Sequence, residues 1–215
     1  MARTSRAEKA RTHKRLVDAA SRDFRTTGVE GTSIPRLMEE IGLTHGTFYA
    51  HFDSKDALVA ESYATGMRES VDRQMKRAAD APSGQGLNAI IDRYLSAIHR
   101  DDPGDGCFLP SMAGEVRRQP EIVRHAFTDG LRNYFERLAE VLADGDADSR
   151  ADHALVLASG MAGAVLLARA VTDVELSDRI LDACRDFYTA AFASPVAEST
   201  GDNEDTTPIE DTGQW

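Results

Sequence analysis

Between Thr32 and Lys55 the chain reads TSIPRLMEEIGLTHGTFYAHFDSK, and its polar residues are of kinds that hydrogen-bond nucleic acid. Thr44, His45 and Thr47 carry donors and acceptors suited to base edges, and Gly46 would let a duplex come close. The Tyr49 hydroxyl and the Lys55 ammonium can bind phosphate oxygens. Thr32 and Ser33 stand at an expected helix start, where free backbone N–H groups favour an anion. A different chemistry is open to Cys107, in the segment GDGCFLPSMAGEV. A thiol near a helix start is biased towards the reactive thiolate. A free cysteine is equally at home as a small buried hydrophobe, and both readings of Cys107 stay open.

The elements that must position these groups are helices. Thr32 or Ser33 caps the first, Pro35 suits its first turn, and Ile34, Leu37, Met38 and Ile41 recur at helical spacing. Gly42 stops it. Thr44 then caps a second short helix, His45–His51, with Phe48 and Phe52 on its buried side. Two short helices around a glycine turn make a helix-turn-helix, whose second helix is sized for the DNA major groove. An earlier helix runs from about Glu8 to Thr26, with Leu16, Ala20 and Phe24 on one face and Gly28 at its end.

The stretch GTSIPRLMEEIGLTHGTFYAHFDSKDAL resembles the DNA-binding domain of the tetracycline-repressor-like (TetR/AcrR) regulators, and the resemblance spans roughly Arg6 to Glu61. It implies that Thr44, His45, Gly46 and Thr47 face base edges or nearby phosphates, and that Tyr49, His51 and Lys55 hold the backbone, with Thr32 and Ser33 beside them. Gly-Cys segments similar to the one at Cys107 occur in a subset of this family that includes sensors of electrophiles and oxidants. Further along, the chain matches only in length and helical character.

The net charge of −11 taken alone argues against nucleic acid, but its distribution does not. Arg3, Arg6, Lys9, Arg11, Lys14 and Arg15 face Glu8 alone within the first fifteen residues. A basic end on an acidic body suits a DNA reader. Apolar content of 41% is ordinary for a globular protein, and two cysteines make no disulfide framework. The longest small-and-apolar stretch, Ala154–Ala168, is shorter than a membrane span and is expected to be a buried helix. The expected setting is therefore the bacterial cytoplasm, on the nucleoid, with no membrane partner.

Past a capping Ser54, a long helix is expected from Lys55 towards Ala79, then helices over Leu87–His99, Cys107–Arg118, Pro120–Ala143, Ser149–Thr172 and Ser177–Ala193. Ile90, Ile91, Tyr94, Leu95 and Ile98 are expected inward. No dinucleotide loop, nucleophile elbow or metal-ligand spacing occurs, so no enzyme, metal or cofactor is expected. The fold expected is all-α: an N-terminal arm and three-helix helix-turn-helix over 1–53, a helical effector-binding and dimerisation domain over 54–195, and a disordered acidic tail over 196–215. By resemblance, the chain is a repressor of a near-palindromic operator on double-stranded DNA, forms a homodimer through its last two long helices, and responds to a small molecule. Cys107, Phe108, Met112, Phe127, Tyr94 and Tyr134 are the expected pocket, suited to a hydrophobic or electrophilic effector. An enzyme with a vestigial helix-turn-helix and a non-sensing architectural DNA binder are the alternatives.

Overall fold

The structure is a computed structural model and describes residues 6–142 and 145–192. The acidic segment 196–215 and Arg3 lie outside the described residues. Ten helices and no strand occur among those described.

Helix α1 covers Arg6–Gly31, with a break at Gly28, where φ of 78° and ψ of 165° leave helical space. The break falls where the sequence placed the helix end, and one more turn buries Val29. Lys9, Arg11, Lys14 and Arg15 are helical, and Arg6 is too, two residues before the expected start at Glu8. Helix α2 (Ile34–Glu40) begins at Ser33, whose Oγ accepts the Arg36 N–H at 3.3 Å, and is followed by Gly42 at φ 72°. Helix α3 (His45–Phe48) is shorter than the His45–His51 expected. Its end tightens into three-residue turns, with the Ala50 and His51 N–H groups donating to Thr47 and Phe48 carbonyls at 3.1 and 2.9 Å. Arg36 grips Asp23 of α1 through both carboxylate oxygens, and Arg15 donates to the Ile41 carbonyl at 2.8 Å. These bonds fix α2 on α1, while Leu16, Phe24, Leu37 and Phe48 close the small core between them.

Helix α4 (Lys55–Asp80) starts at Ser54, whose Oγ accepts from the Ala57 N–H, and joins the head to the body. The body holds α5 (Gly86–Tyr94), α6 (Ala97–Asp101), α7 (Phe108–Val116), α8 (Glu121–Ala139), α9 (Ala147–Ala170) and α10 (Val174–Phe192). Helix α4 packs most extensively on α8, and α10 on α9. One continuous apolar cluster runs from Leu16 in the head to Leu181 in the body.

Two expectations need correction. The single helix over Leu87–His99 is two, because Ser96 is extended and its Oγ accepts the His99 N–H, starting α6 afresh. The rotation leaves Ile98 69% exposed and turns His99 inward. Helix α9 begins earlier than the expected Ser149, capped by Asp146, and its 24 residues exceed the expected apolar stretch. By length and mean hydropathy (1.6) α9 could cross a membrane, yet it packs on α7, α8 and α10. At Gly160 a Cβ would overlap the Tyr188 hydroxyl, so the glycine is what lets α9 and α10 lie this close.

Candidate DNA interface and body cavity

Thr44, His45, Gly46 and Tyr49 are exposed along α3 and its flanks, and Thr47 is half-buried beside them. The Thr44 and Thr47 hydroxyls share a 2.9 Å hydrogen bond, which orients the pair. The Tyr49 ring is 63% exposed and stands edge-on to His45 and to Phe48. A Cβ on Gly46 would meet only the Thr44 hydroxyl at 4.0 Å, so internal packing does not require glycine there. What the absent side chain leaves is open approach from outside.

The other expected contacts are placed differently. Thr32 is buried, with its hydroxyl bonded to the Gly28 carbonyl at 3.0 Å, so its side chain faces α1 and not solvent. Ser33 remains exposed. The Lys55 ammonium turns inward and donates to the Val29 and Thr32 carbonyls at 2.6 and 2.7 Å, clamping α4 to the end of α1. Neither arrangement was visible in sequence, because the acceptors are backbone carbonyls: one turn back at Gly28 for Thr32, and more than twenty residues away for Lys55. His51 is half-buried, and burial, then His13 and Lys9, lower its ring below the usual histidine value. His13 stacks on Phe52 and bonds Glu61 at 2.7 Å. Beside His51 a groove of about 610 Å³ is edged by Arg6, Lys9, Lys14 and Arg68, with Asp18, Glu61 and Glu69 on the same walls.

Lys55→Met should therefore lower the stability of the chain by about 2 kcal/mol, since bonds from a charged donor are lost. Thermal melting checks this, alongside the salt dependence of non-specific DNA binding. An unchanged melt with a salt slope smaller by about one would instead assign Lys55 to a phosphate.

In the body, a cavity of about 270 Å³ opens between α4, α5 and the loop before α7. Ser70, Arg73, Gln74 and Arg77 line it from α4, and Ile90, Arg93 and Tyr94 from α5. His99, Asp105 and Cys107 complete it. Of the expected pocket only Tyr94 and Cys107 are in the wall. Phe108 turns instead into the recess at Gly66, with Tyr63 at 4.9 Å on one side and the Arg25 guanidinium at 5.2 Å over its ring. Met112, Phe127 and Tyr134 belong to the adjoining core, although the Tyr134 hydroxyl reaches back to Gln74 at 2.9 Å.

Cys107 is the residue before α7 and is 5% exposed. Its N–H donates to His99 Nε2 at 2.8 Å, and His99 Nδ1 lies 2.7 Å from the Tyr94 carbonyl. These partners assign the proton to Nδ1, since a carbonyl can only accept and a backbone N–H can only donate. Burial lowers the His99 ring to about 4, with its bond to Tyr94 only partly opposing and nearby Arg169, Arg93 and Arg73 adding to the fall. An unfolded histidine titrates near 6.5. Between those values the unfolded chain takes a proton that the folded chain refuses. The contribution of His99 is full above about pH 6.5 and is lost, by about 3 kcal/mol, as pH falls to 4. Urea unfolding at pH 7.5 and 4.5 should show a smaller acid loss in His99→Gln than in wild type; equal losses would exclude the ring as the cause.

Residues 16–62 match the family described as "Bacterial regulatory proteins, tetR family", and residues 84–184 match "Tetracyclin repressor-like, C-terminal domain". The chain is 23% identical over 158 residues to the HTH-type transcriptional regulator LmrA of Bacillus subtilis, covering 72% of this chain and 84% of that protein. It is 36% identical over 103 residues to the uncharacterized HTH-type transcriptional regulator TtgW of Pseudomonas putida, covering 46% of this chain and 72% of that one. In fold it resembles the reduced form of E. coli NemR, with TM-score 0.72 and 20% identity over 86% of this chain and 98% of the other.

Proposed function

The chain belongs to the TetR family of bacterial transcriptional regulators, DNA-binding proteins with a helix-turn-helix head, and from that premise we propose that it is a dimeric repressor released from its operator by a small molecule. The head is residues 1–53, the body 54–195, and 196–215 an acidic tail. Thr44, His45, Gly46 and Thr47 read bases, while Tyr49 and the exposed start of α2 at Ser33 meet phosphates. Lys55 and Thr32 tie α4 and the start of α2 to the end of α1, and His51, just past the reading helix, packs beside His13 of α1.

The observation that carries release is the loop 102–107. It walls the cavity through Asp105 and Cys107, and it also holds α1, through Arg22 to Asp105 at 2.7 Å and Arg25 to the Gly106 carbonyl at 3.1 Å. A molecule entering the cavity therefore presses on a segment bonded to the head. Two heads must meet half-sites about 34–36 Å apart, so a small change of separation disfavours joint engagement. A coupling of about 1–3 kcal/mol changes operator affinity roughly 5–150-fold.

Genomic fragments retained by the purified chain supply the operator, and fluorescence anisotropy then measures binding with and without metabolites. Specific, salt-sensitive binding relieved by a compound supports the reading; turnover of a compound without DNA binding removes it. A second reading is favoured by the place of Cys107 in the cavity wall. There its sulfur adds to an electron-poor alkene, forming a S–C bond as the thiol proton passes to the neighbouring carbon. Equal release of wild type and Cys107→Ser by such an electrophile would leave reversible binding as the mechanism.

A further inference from the structure

We propose that the body cavity is a site for a small organic carboxylate, its charge held by Arg73, Arg77 and Arg93 and an acceptor at its far end meeting the Tyr94 hydroxyl; this rests on the reading of the body as the effector-binding part. Arg73 and Arg77 are four residues apart on α4, on the face that also brings Ser70 and Gln74 to the wall. Arg93 closes on them from α5. None of the three forms an ion pair among the described residues. Arg73 donates to the Asp105 carbonyl at 3.3 Å and Arg93 to the Ser96 hydroxyl at 3.4 Å, both long bonds to neutral groups. The one carboxylate in the wall, Asp105, is already held by Arg22.

With Arg73 and Arg77 exposed and Arg93 half-buried, the cavity mouth carries a net positive charge, offset in part by Asp105 and by Asp102 near Arg93. Burial, then Arg77, lowers the Arg93 guanidinium, and burial, then Arg73, lowers that of Arg25 behind the loop. His99 adds no charge, and both its ring nitrogens are occupied. An anion is what relieves such a cluster, and two guanidinium forks suit a planar carboxylate.

Tyr94 indicates a second ligand group. It is 3% exposed and lines the cavity, and among the described residues its hydroxyl has no oxygen or nitrogen partner, only the Cys107 thiol beside it. Burial holds the phenol well above its ordinary value, so it remains a donor. The Cys107 thiol beside it is only a weak acceptor. A buried donor left without a partner is unfavourable, and a ligand oxygen would satisfy it. Ile90 and Tyr94 add apolar surface to the same lining. A cavity of about 270 Å³ suits a molecule with one ring or a short chain.

The test is calorimetric titration of the full chain, without DNA, using benzoate, 4-hydroxybenzoate, phenylacetate and hexanoate, each beside its primary amide. At least one acid should bind about tenfold or more tightly than its own amide, as a charged hydrogen-bonded pair allows. The preference should shrink as sodium chloride is raised, and disappear in Arg73→Gln/Arg77→Gln with the melting curve retained. Tyr94→Phe should weaken the preferred acid and its amide alike. The site is overturned if no acid exceeds its amide, if the preference survives the double variant, or if inorganic phosphate binds as tightly as any acid. Operator release is measured separately by anisotropy. Acids that bind and leave the operator complex intact keep the site and remove its part in regulation.

Discussion

Leu167→Arg should yield a monomer at micromolar concentration, with operator affinity lower by about 10²–10⁴-fold, the gain that joining two binding modules supplies. Leu167 is 57% exposed on α9, and Val156 and Leu166 beside it are exposed to a similar degree. Among the described residues, a Cβ on Gly163 would meet nothing within 4 Å, so they leave this side of α9 uncovered. Phe187, 64% exposed, continues an apolar surface on α10. Two-fold pairing would cover such a surface with its own copy, so one substitution places two unpaired charges in the contact. Sedimentation and duplex anisotropy read the two effects; a wild-type dimer would put the contact elsewhere. Gly160→Arg is a poorer probe, because that glycine faces Tyr188 of its own subunit and the variant would break α9 from α10.

The second large effect is expected from Gly66→Val. Gly66 is buried on α4, and a Cβ there would overlap the Phe108 ring and come within 2.8 Å of the Ser21 hydroxyl. Phe108 is fully buried between Tyr63 and Arg25 and has no room to withdraw. Overpacking of this kind destabilises by about 1–3 kcal/mol. At this chain length that is a fall in melting temperature of about 2–4 °C per kcal/mol. Because α1, α4 and α7 meet at this point, the variant should also bind the operator more weakly than its remaining folded fraction explains. Wild-type melting and affinity would show that Phe108 can move.

The head was legible because its signals are local. Ser33, Gly42 and Ser54 act on the residue next to them or on N–H groups three positions away, and the helix ends followed. The body was less so, because its decisive contacts join distant segments. Nothing in the sequence pattern singles out Arg73, Arg77 and Arg93 together, and only the placing of α5 against α4 turns them onto one space. His99 looked like a scattered histidine; the break at Ser96 that turns it inward follows from one hydroxyl. A polar stripe at 70, 73, 74 and 77, four positions of one helical face, was the available signal. Lys55 misled because its acceptors lie in a distant segment, and Thr32 because its acceptor, one turn back, is a carbonyl that sequence does not mark; both side-chain types suit phosphate.

Helix α7 starts at Cys107 in the cavity wall, and near its other end Glu115 accepts the Val29 N–H at 3.0 Å and covers Gly28. On the proposed reading, the effector cavity and the DNA-reading head are therefore joined by a short rod, gripped at the cavity wall through Cys107 and at the end of α1 through Glu115. Re-lining the cavity at Arg77 or Ile90 leaves those grips intact, and so does exchanging Thr44 to Thr47 for another reading sequence. If the chain senses a small molecule as proposed, α7 is the seam at which a new chemical input would be matched to an unrelated promoter.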